Sequence, residues 1–454
     1  MTGRAMGAGM TGTGRRIGFL LLALVGLASC GEREVILPGV REDPRAVSFG
    51  AMRSDGAEVA VQRPLALPAA QLNQSWTHRG GNARHAIGHL ALPGGGLTLA
   101  FAAPIGEGDS RRARITGDPV VVGSTIYAMD ARGSVSAVSA SGQLLWRSEL
   151  RRDLNRLQDA SGGGLAYGNG RLYATTGFGQ LVALDPATGA RLWVQDLDAA
   201  GGAAPTVAGD LVYVSSRDSR AWAVDSATGR IAWTRAGVPS PAGSGGGAGP
   251  AVADGLVLFP LSSGEVAAHF AIGGQQRWSA YVVGERTGFA AATISDIGGD
   301  PVIADGRVYA GNVSGRLAAL DLATGDEIWA VRDGAVSPVW AAGGSIFYVN
   351  DVNQLVRRDA ASGGLVWRTQ LPWRPETRGL FGPTRDRIFA HYGPVLASGR
   401  LYVAGSDGAL RAFDPRSGGL IAETALPGGA TSNPVVAGGT LYVVSGEGQL
   451  LAFR

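Results

Sequence analysis

The sequence predicts an all-β chain: an eight-bladed β-propeller of four-stranded antiparallel blades, closed by an N-terminal strand that pairs with the C-terminal blade. Three observations predict it. One pattern recurs eight times at a spacing of roughly 40–50 residues, which means a closed array of equivalent units. Most copies carry an Asp-x-x-Thr/Ser-Gly turn followed by a short strand with Trp. The last copy starts at Asn433-Pro434 and stops at Phe453-Arg454, without that turn and strand.

Each copy opens with a small-Pro-apolar-apolar step, passes a Gly into an apolar-Tyr-apolar strand, then turns and pairs again. Blade one runs from Gly117-Asp118-Pro119-Val120 through Ile126-Tyr127-Ala128 and Val135–Val138 to Trp146. Blade two has Leu172-Tyr173-Ala174, the turn Asp185-Pro186-Ala187-Thr188-Gly189, and Trp193. Blade three starts at Ala204-Pro205 and turns at Asp225-Ser226-Ala227-Thr228-Gly229 before Trp233. Blade four runs from Gly249-Pro250 to Trp278. Blade five runs from Asp300-Pro301 through Asp321-Leu322-Ala323-Thr324-Gly325 to Trp329. Blade six has Ile346-Phe347-Tyr348 and Trp367. Blade seven starts at Gly393-Pro394 and turns at Asp414-Pro415-Arg416-Ser417-Gly418, but Ile421-Ala422 occupies the region of its Trp.

An incomplete eighth blade would leave an unpaired edge. Gly96-Leu97-Thr98-Leu99-Ala100-Phe101 precedes blade one and reads as the missing strand, with Phe101 at the Trp position. The turn residues suit their places. Asp can accept backbone N–H groups, Gly supplies a positive φ, and Trp offers a flat surface between blades. The repeated Asp, Gly and Trp are therefore structural.

The chain has 454 residues and a formal charge of +3, with no Lys among its 40 basic residues. Residues 1–29 hold Arg4, Arg15 and Arg16 and no acid, so without them the charge is zero. No basic stripe with interleaved aromatics is present, which argues against nucleic-acid binding.

Arg15-Arg16 precedes an apolar run from Ile17 to Ala28, too short to span a bilayer well and suited to a secretory signal. The run ends at Leu27-Ala28-Ser29-Cys30, which resembles the bacterial lipoprotein box. That resemblance implies lipidation of Cys30, the sole cysteine. The alternative is an incidental Cys in an ordinary signal peptide or uncleaved anchor. Gly31 rather than Asp after Cys30 implies, by the same likeness, passage to the outer membrane. No disulfide can then form. The expected domains are a signal peptide at 1–29, a lipid-anchored tether at 30–75, a docked N-terminal loop at 76–96 and the propeller at 97–454.

The Asp-x-x-Thr-Gly-x-x-x-Trp blades resemble the repeat of quinoprotein dehydrogenases. They are also similar to the BamB family of outer-membrane barrel-assembly lipoproteins, over nearly all of 97–454 and best over Gly315–Gly325. This second resemblance implies a non-enzymatic scaffold on the periplasmic face of the outer membrane. Its partners would be the barrel-assembly protein BamA, other assembly lipoproteins and outer-membrane protein precursors. The family's two contact loops correspond to Val238-Pro239-Ser240 before blade four, and to Ile294-Ser295-Asp296 with nearby Asp300 before blade five. The family's Arg is absent from both loops, so the chemistry of contact must differ.

Catalysis of the dehydrogenase type would need, by resemblance, an adjacent Cys-Cys pair over the cofactor and carboxylates on a metal. The single Cys belongs to the leader, so no catalytic residue, cofactor or metal is expected. The competing reading is a quinone- or ligand-binding periplasmic propeller, a dehydrogenase or sensor. His78, His85 and His89 are spaced so that they could converge on a metal, but no Cys or acid lies near them in sequence. A polar docked loop is the favoured reading. Ser161–Gly164 and Gly243–Gly249 lack the Lys and helix start of a phosphate loop. Arg147–Arg156 and the stretch from Trp373 to Phe381 read as long charged or aromatic insertions.

Overall fold

The computed structural model describes residues 58–93, 96–151, 161–240, 247–284, 294–373, 378–379, 382–383 and 388–454. Cys30 and most of the two charged or aromatic insertions lie outside the described residues. Residues 59–454 form the unit that carries the propeller. Eight antiparallel blades of four strands form the ring, the sheet of blade one being extended at its inner edge by Ser75–Trp76, and no helix occurs among the described residues. Blade one shows the plan. Val120–Val122 is innermost, followed outward by Thr125–Met129, Ser134–Ser139 and Leu144–Glu149. The middle strands are almost wholly buried. The outer strand alternates exposed and half-buried residues, as the edge of a twisted blade should.

The ring closes as the sequence predicts. Leu99–Pro104 is the outermost strand of blade eight, beside Gln449–Phe453, with Phe101 opposite Ala452. Thr98 and Arg454 exchange backbone hydrogen bonds of 2.8 and 3.0 Å, fastening the two ends of the ring.

Neighbouring blades are stapled by one recurring contact. Trp329 Nε1 of blade five donates to Ala360 O in the turn of blade six at 3.1 Å. Tyr309 Oη donates to the same carbonyl at 3.3 Å. Trp146, Trp193, Trp233, Trp278 and Trp367 reach the turn of the next blade in the same way, at 2.9–3.1 Å. Each indole lies flat on the turn Gly. A Cβ at Gly363, whose φ is +73°, would sit 2.7 Å from the Trp329 ring. Gly is thus needed twice over, for conformation and for closeness. The Asp that opens the turn holds it. Asp321 Oδ1 accepts from Ala323 N, Thr324 N and Thr324 Oγ1 at 2.8–3.3 Å.

This contact explains the missing Trp of blade seven. Ala422 stands at its register position. The next blade has no turn there, because its last two strands belong to opposite ends of the chain. Leu97 fills the place instead: it is buried, and its carbonyl accepts from Thr424 at 3.3 Å. Thr369 makes the matching bond to the turn Gly418 in the preceding pair of blades.

The segment from Val61 to Asn73 does not stand off the ring. Val61 N donates to Leu365 O at 2.7 Å, and Arg63 pairs with Asp359 at 2.8 Å while Arg357 donates to its carbonyl. Blade six thereby fixes residues 61–63. It also holds the buried Arg358 against Tyr348 and Asp333.

Candidate functional site

An antiparallel meander gives the ring two unlike faces. One carries the turns between first and second and between third and fourth strands. The other carries the turns between second and third strands and the connections from blade to blade. Both predicted contact loops are blade-to-blade connections, so they share the second face.

The turn Leu261–Gly264 of blade four brings them together. On one side Ser240 N donates to Ser262 Oγ at 3.2 Å. On the other, a Cβ at Gly264 would meet Ser295 O and Val283, each at 2.6 Å. Val238 is 58% exposed, Pro239 is exposed, and Tyr281 and Val283 lie open beside the second loop. The result is a mixed apolar surface with Ser240, Ile294 and Ser295 half-buried within it. Residues 241–246 and 285–293 lie outside the described residues.

Asp300 corrects the sequence expectation, which places it beside this surface. It is 2% exposed and faces the axis of the ring. Its carboxylate accepts from Gly249 N at 2.7 Å and pairs with Arg79 at 3.1 Å. Asp296 is also buried, and the adjoining Ile297 is bridged to Asn312 of blade five. Among the described residues of this loop, Ile294 and Ser295 therefore carry the outward chemistry, beside Tyr281 and Val283.

The first face is closed by residues 73–92, which run around the axis and touch every blade in turn. Asn73 bonds Val436 and Gly438 of blade eight. Ser75–Trp76 pairs with Val121 and Val122 of blade one. Thr77 O accepts from Tyr167 N, and His78 Nε2 accepts from Val207 N at 3.0 Å. Ala83 O and Arg84 O accept from Val252 N and Ile303 N of blades four and five. Trp340 Nε1 of blade six donates to Gly88 O, and Leu90 is bonded on both sides to blade seven.

The three histidines do not converge. His78 Nε2 lies 3.0 Å from Val207 N and 3.1 Å from Val207 O, and burial drives its pKa down to about 3. His85 reaches Pro301 O, and burial lowers its pKa as well. His89 lies between Pro68 O and Gly399 N. Among the described residues no group of three or more His, Cys, Asp or Glu could hold a metal.

Arg79 occupies the axis. Its Nε lies 3.4 Å from Asp118 of blade one, and its Nη1 bonds Asp300 of blade five and Gly247 O at 3.1 and 3.2 Å. Asn433 of blade eight holds Asp118 through two bonds of 2.8 Å. Burial raises the Asp118 pKa, with Arg79 opposing the shift. Asp118, Asp300 and Asn433 all precede the Pro of their repeat. That pre-proline position faces inward. Its periodicity is readable in the sequence, but the partnership with Arg79 is not.

The family model described as outer membrane protein assembly factor BamB matches residues 131–369 and 353–454. The BamB of Yersinia pestis is 26% identical over 316 residues, covering 68% of this chain and 76% of that one. That of Shewanella oneidensis is 28% identical over 289 residues, covering 59% and 70%. The crystal structure of BamB from Moraxella catarrhalis superposes with a TM-score of 0.65 at 20% identity, over 79% of this chain and all of that one. A quinohemoprotein alcohol dehydrogenase from Pseudomonas putida HK5 superposes at 0.64 with 16% identity, covering 84% and 80%. At these identities the two superpositions speak to the fold alone.

Proposed function

Because this chain belongs to the BamB family of outer membrane protein assembly factors, we propose that it works as a non-enzymatic scaffold in the assembly of outer-membrane proteins. The observation that carries this reading is the match of the family model through the ring from 131 to 454. Cys30 is the proposed lipid site, holding the propeller on the periplasmic side of the outer membrane. One acyl chain binds a membrane only marginally, and additional chains make the attachment persistent.

The proposed docking surface is the blade-connection face around Val238, Pro239, Ser240, Ile294 and Ser295, with Tyr281 and Val283 beside them. Its partner is the periplasmic part of a BamA-like barrel-assembly protein. The ring then acts by confinement and orientation rather than by chemistry, keeping the assembly protein and incoming precursors near one another.

The occupied axis supports this reading over a cofactor-binding one. The channel is filled by Trp76, His78, Arg79 and His85 of the chain itself. A surface hollow of about 420 Å³ lies beside Phe178, Asp196 and Asp198. Affinity recovery from mildly solubilised membranes tests the proposal. The native lipoprotein should bring down the barrel-assembly protein, and Val238→Asp should weaken recovery without changing stability. Failure to recover that protein, with a visible absorbance band in the purified chain, would favour the quinone-binding alternative.

A further inference from the structure

We propose that the inner rim of the ring is a receptor for an arginine-bearing peptide segment, and that residues 73–92 are its occupant in cis. The rim is built for an extended chain. Main-chain or side-chain hydrogen bonds from the innermost part of all eight blades meet these residues in sequence order. No other stretch among the described residues touches every blade.

The rim is also built for a guanidinium. Asp118 and Asp300 come from blades one and five, which are diametrically opposed in a ring of eight. Each carboxylate is held by the ring itself, Asp118 by Asn433 and Asp300 by the Gly249 amide. The two acids are therefore positioned without help from the segment they receive, and pre-organisation of this kind favours binding. Arg79 is the cation that lies between them, buried with them. Without it, two carboxylates would face one buried axis with no charge to balance them. Arg suits this place better than Lys because its planar fork can address Asp300, Asp118 and Gly247 O at once.

The segment is separate from the device that closes the ring. Closure uses Leu99–Pro104, on the outer edge of blade eight. Residues 73–92 lie at the opposite, axial edge of the blades and join that strand through Pro93 and the glycines at 94–96. Cutting at 94–95 leaves the closing strand with the ring, and the occupant is then held only by its own contacts and by those of Val61 and Arg63 with blade six.

The experiment places a protease site at 94–95 in the full chain and cleaves it after folding. The N-terminal fragment should stay with the ring through gel filtration. A labelled synthetic peptide of residues 73–92 should then exchange into the rim. The same peptide with Arg79→Met should bind at least about a hundredfold more weakly, the scale of leaving buried charges unpaired. Arg79→Lys should fall between them. A ring with Asp118→Asn and Asp300→Asn should lose most of the discrimination between the Arg and Met peptides. Three results would overturn the proposal: immediate loss of the fragment with no peptide rebinding, equal binding of the Arg and Met peptides, or unfolding of the ring on cleavage. The peptide series leaves the ring unchanged, so it tests the Arg79 contact even where the doubly substituted ring is unstable.

Discussion

Trp329 and Tyr309 donate to one carbonyl, and that shared acceptor makes a sharp prediction about the blade staple. Ala360 O is buried at the junction of blades five and six, with Trp329 Nε1 at 3.1 Å and Tyr309 Oη at 3.3 Å. Replacing Trp329 by Phe keeps most of the packing on Gly363 and removes one bond. The carbonyl remains paired, so the loss should be about 1 kcal/mol. Tyr309→Phe should cost about the same for the same reason. Making both changes leaves the carbonyl without a side-chain donor, and an unsatisfied buried acceptor costs about 1–3 kcal/mol beyond the packing changes. The double variant should therefore lose about 1 kcal/mol more than the sum of the singles. Trp329→Ala is the upper reference. It removes a side chain only 8% exposed and should cost about 3–5 kcal/mol. Urea unfolding followed by tryptophan fluorescence and by circular dichroism measures each value. Strict additivity of the two Phe substitutions would refute the shared-acceptor account.

Further predictions concern titration and surface chemistry. His78 holds a pKa of about 3 in the folded state, well below the ordinary value of about 6.5. Between these values the unfolded chain binds a proton that the folded chain refuses, so stability falls as pH falls from about 6.5 toward about 3. His78→Gln should flatten this slope by about 1.4 kcal/mol per pH unit, measured by urea midpoints at pH 6, 5 and 4. Asp185, Asp225 and Asp321 have lowered pKa values, chiefly from the hydrogen bonds of Thr188, Thr228 and Thr324. Their contribution is present above about pH 4 and drains away as pH falls through the folded values. Replacing all three by Asn should lower stability at pH 7, and the difference from the parent should shrink toward pH 2. Asp300→Asn should leave capture of the barrel-assembly protein intact at the membrane while lowering the unfolding midpoint, because its carboxylate serves Arg79 and Gly249 rather than the outer surface.

Much of this architecture is legible in the sequence because each blade repeats a local rule. Turn Asp, turn Gly and Trp recur at fixed offsets, and Phe101 in the Trp position identifies the closing strand. The absence of Trp in blade seven is visible too. Its cause is not, since it depends on which strand of the next blade comes from the far end of the chain. The site is less legible. Val238, Ser240, Ile294 and Ser295 do gather around one turn, as residues of successive blade connections must. Asp300 follows them closely in sequence but sits at a pre-proline position, and the backbone there turns its carboxylate toward the axis. Arg79 finds its acids 39 and 221 residues away in the chain. Nothing local in Thr-His-Arg-Gly-Gly predicts partners at such distances. The packed path of 61–73 is similarly hidden, because its anchors are backbone bonds and a single ion pair rather than an apolar period.

The most direct test of the scaffold assignment is site-specific photocrosslinking in intact cells. A photoreactive residue at Val238 probes the blade-connection face, and one at Ile272, which is 88% exposed in a turn of the opposite face, serves as its control. The account predicts a crosslink from position 238 to the barrel-assembly protein and none from position 272. A crosslink from 272 alone, or from neither position in a correctly lipidated protein, would contradict it.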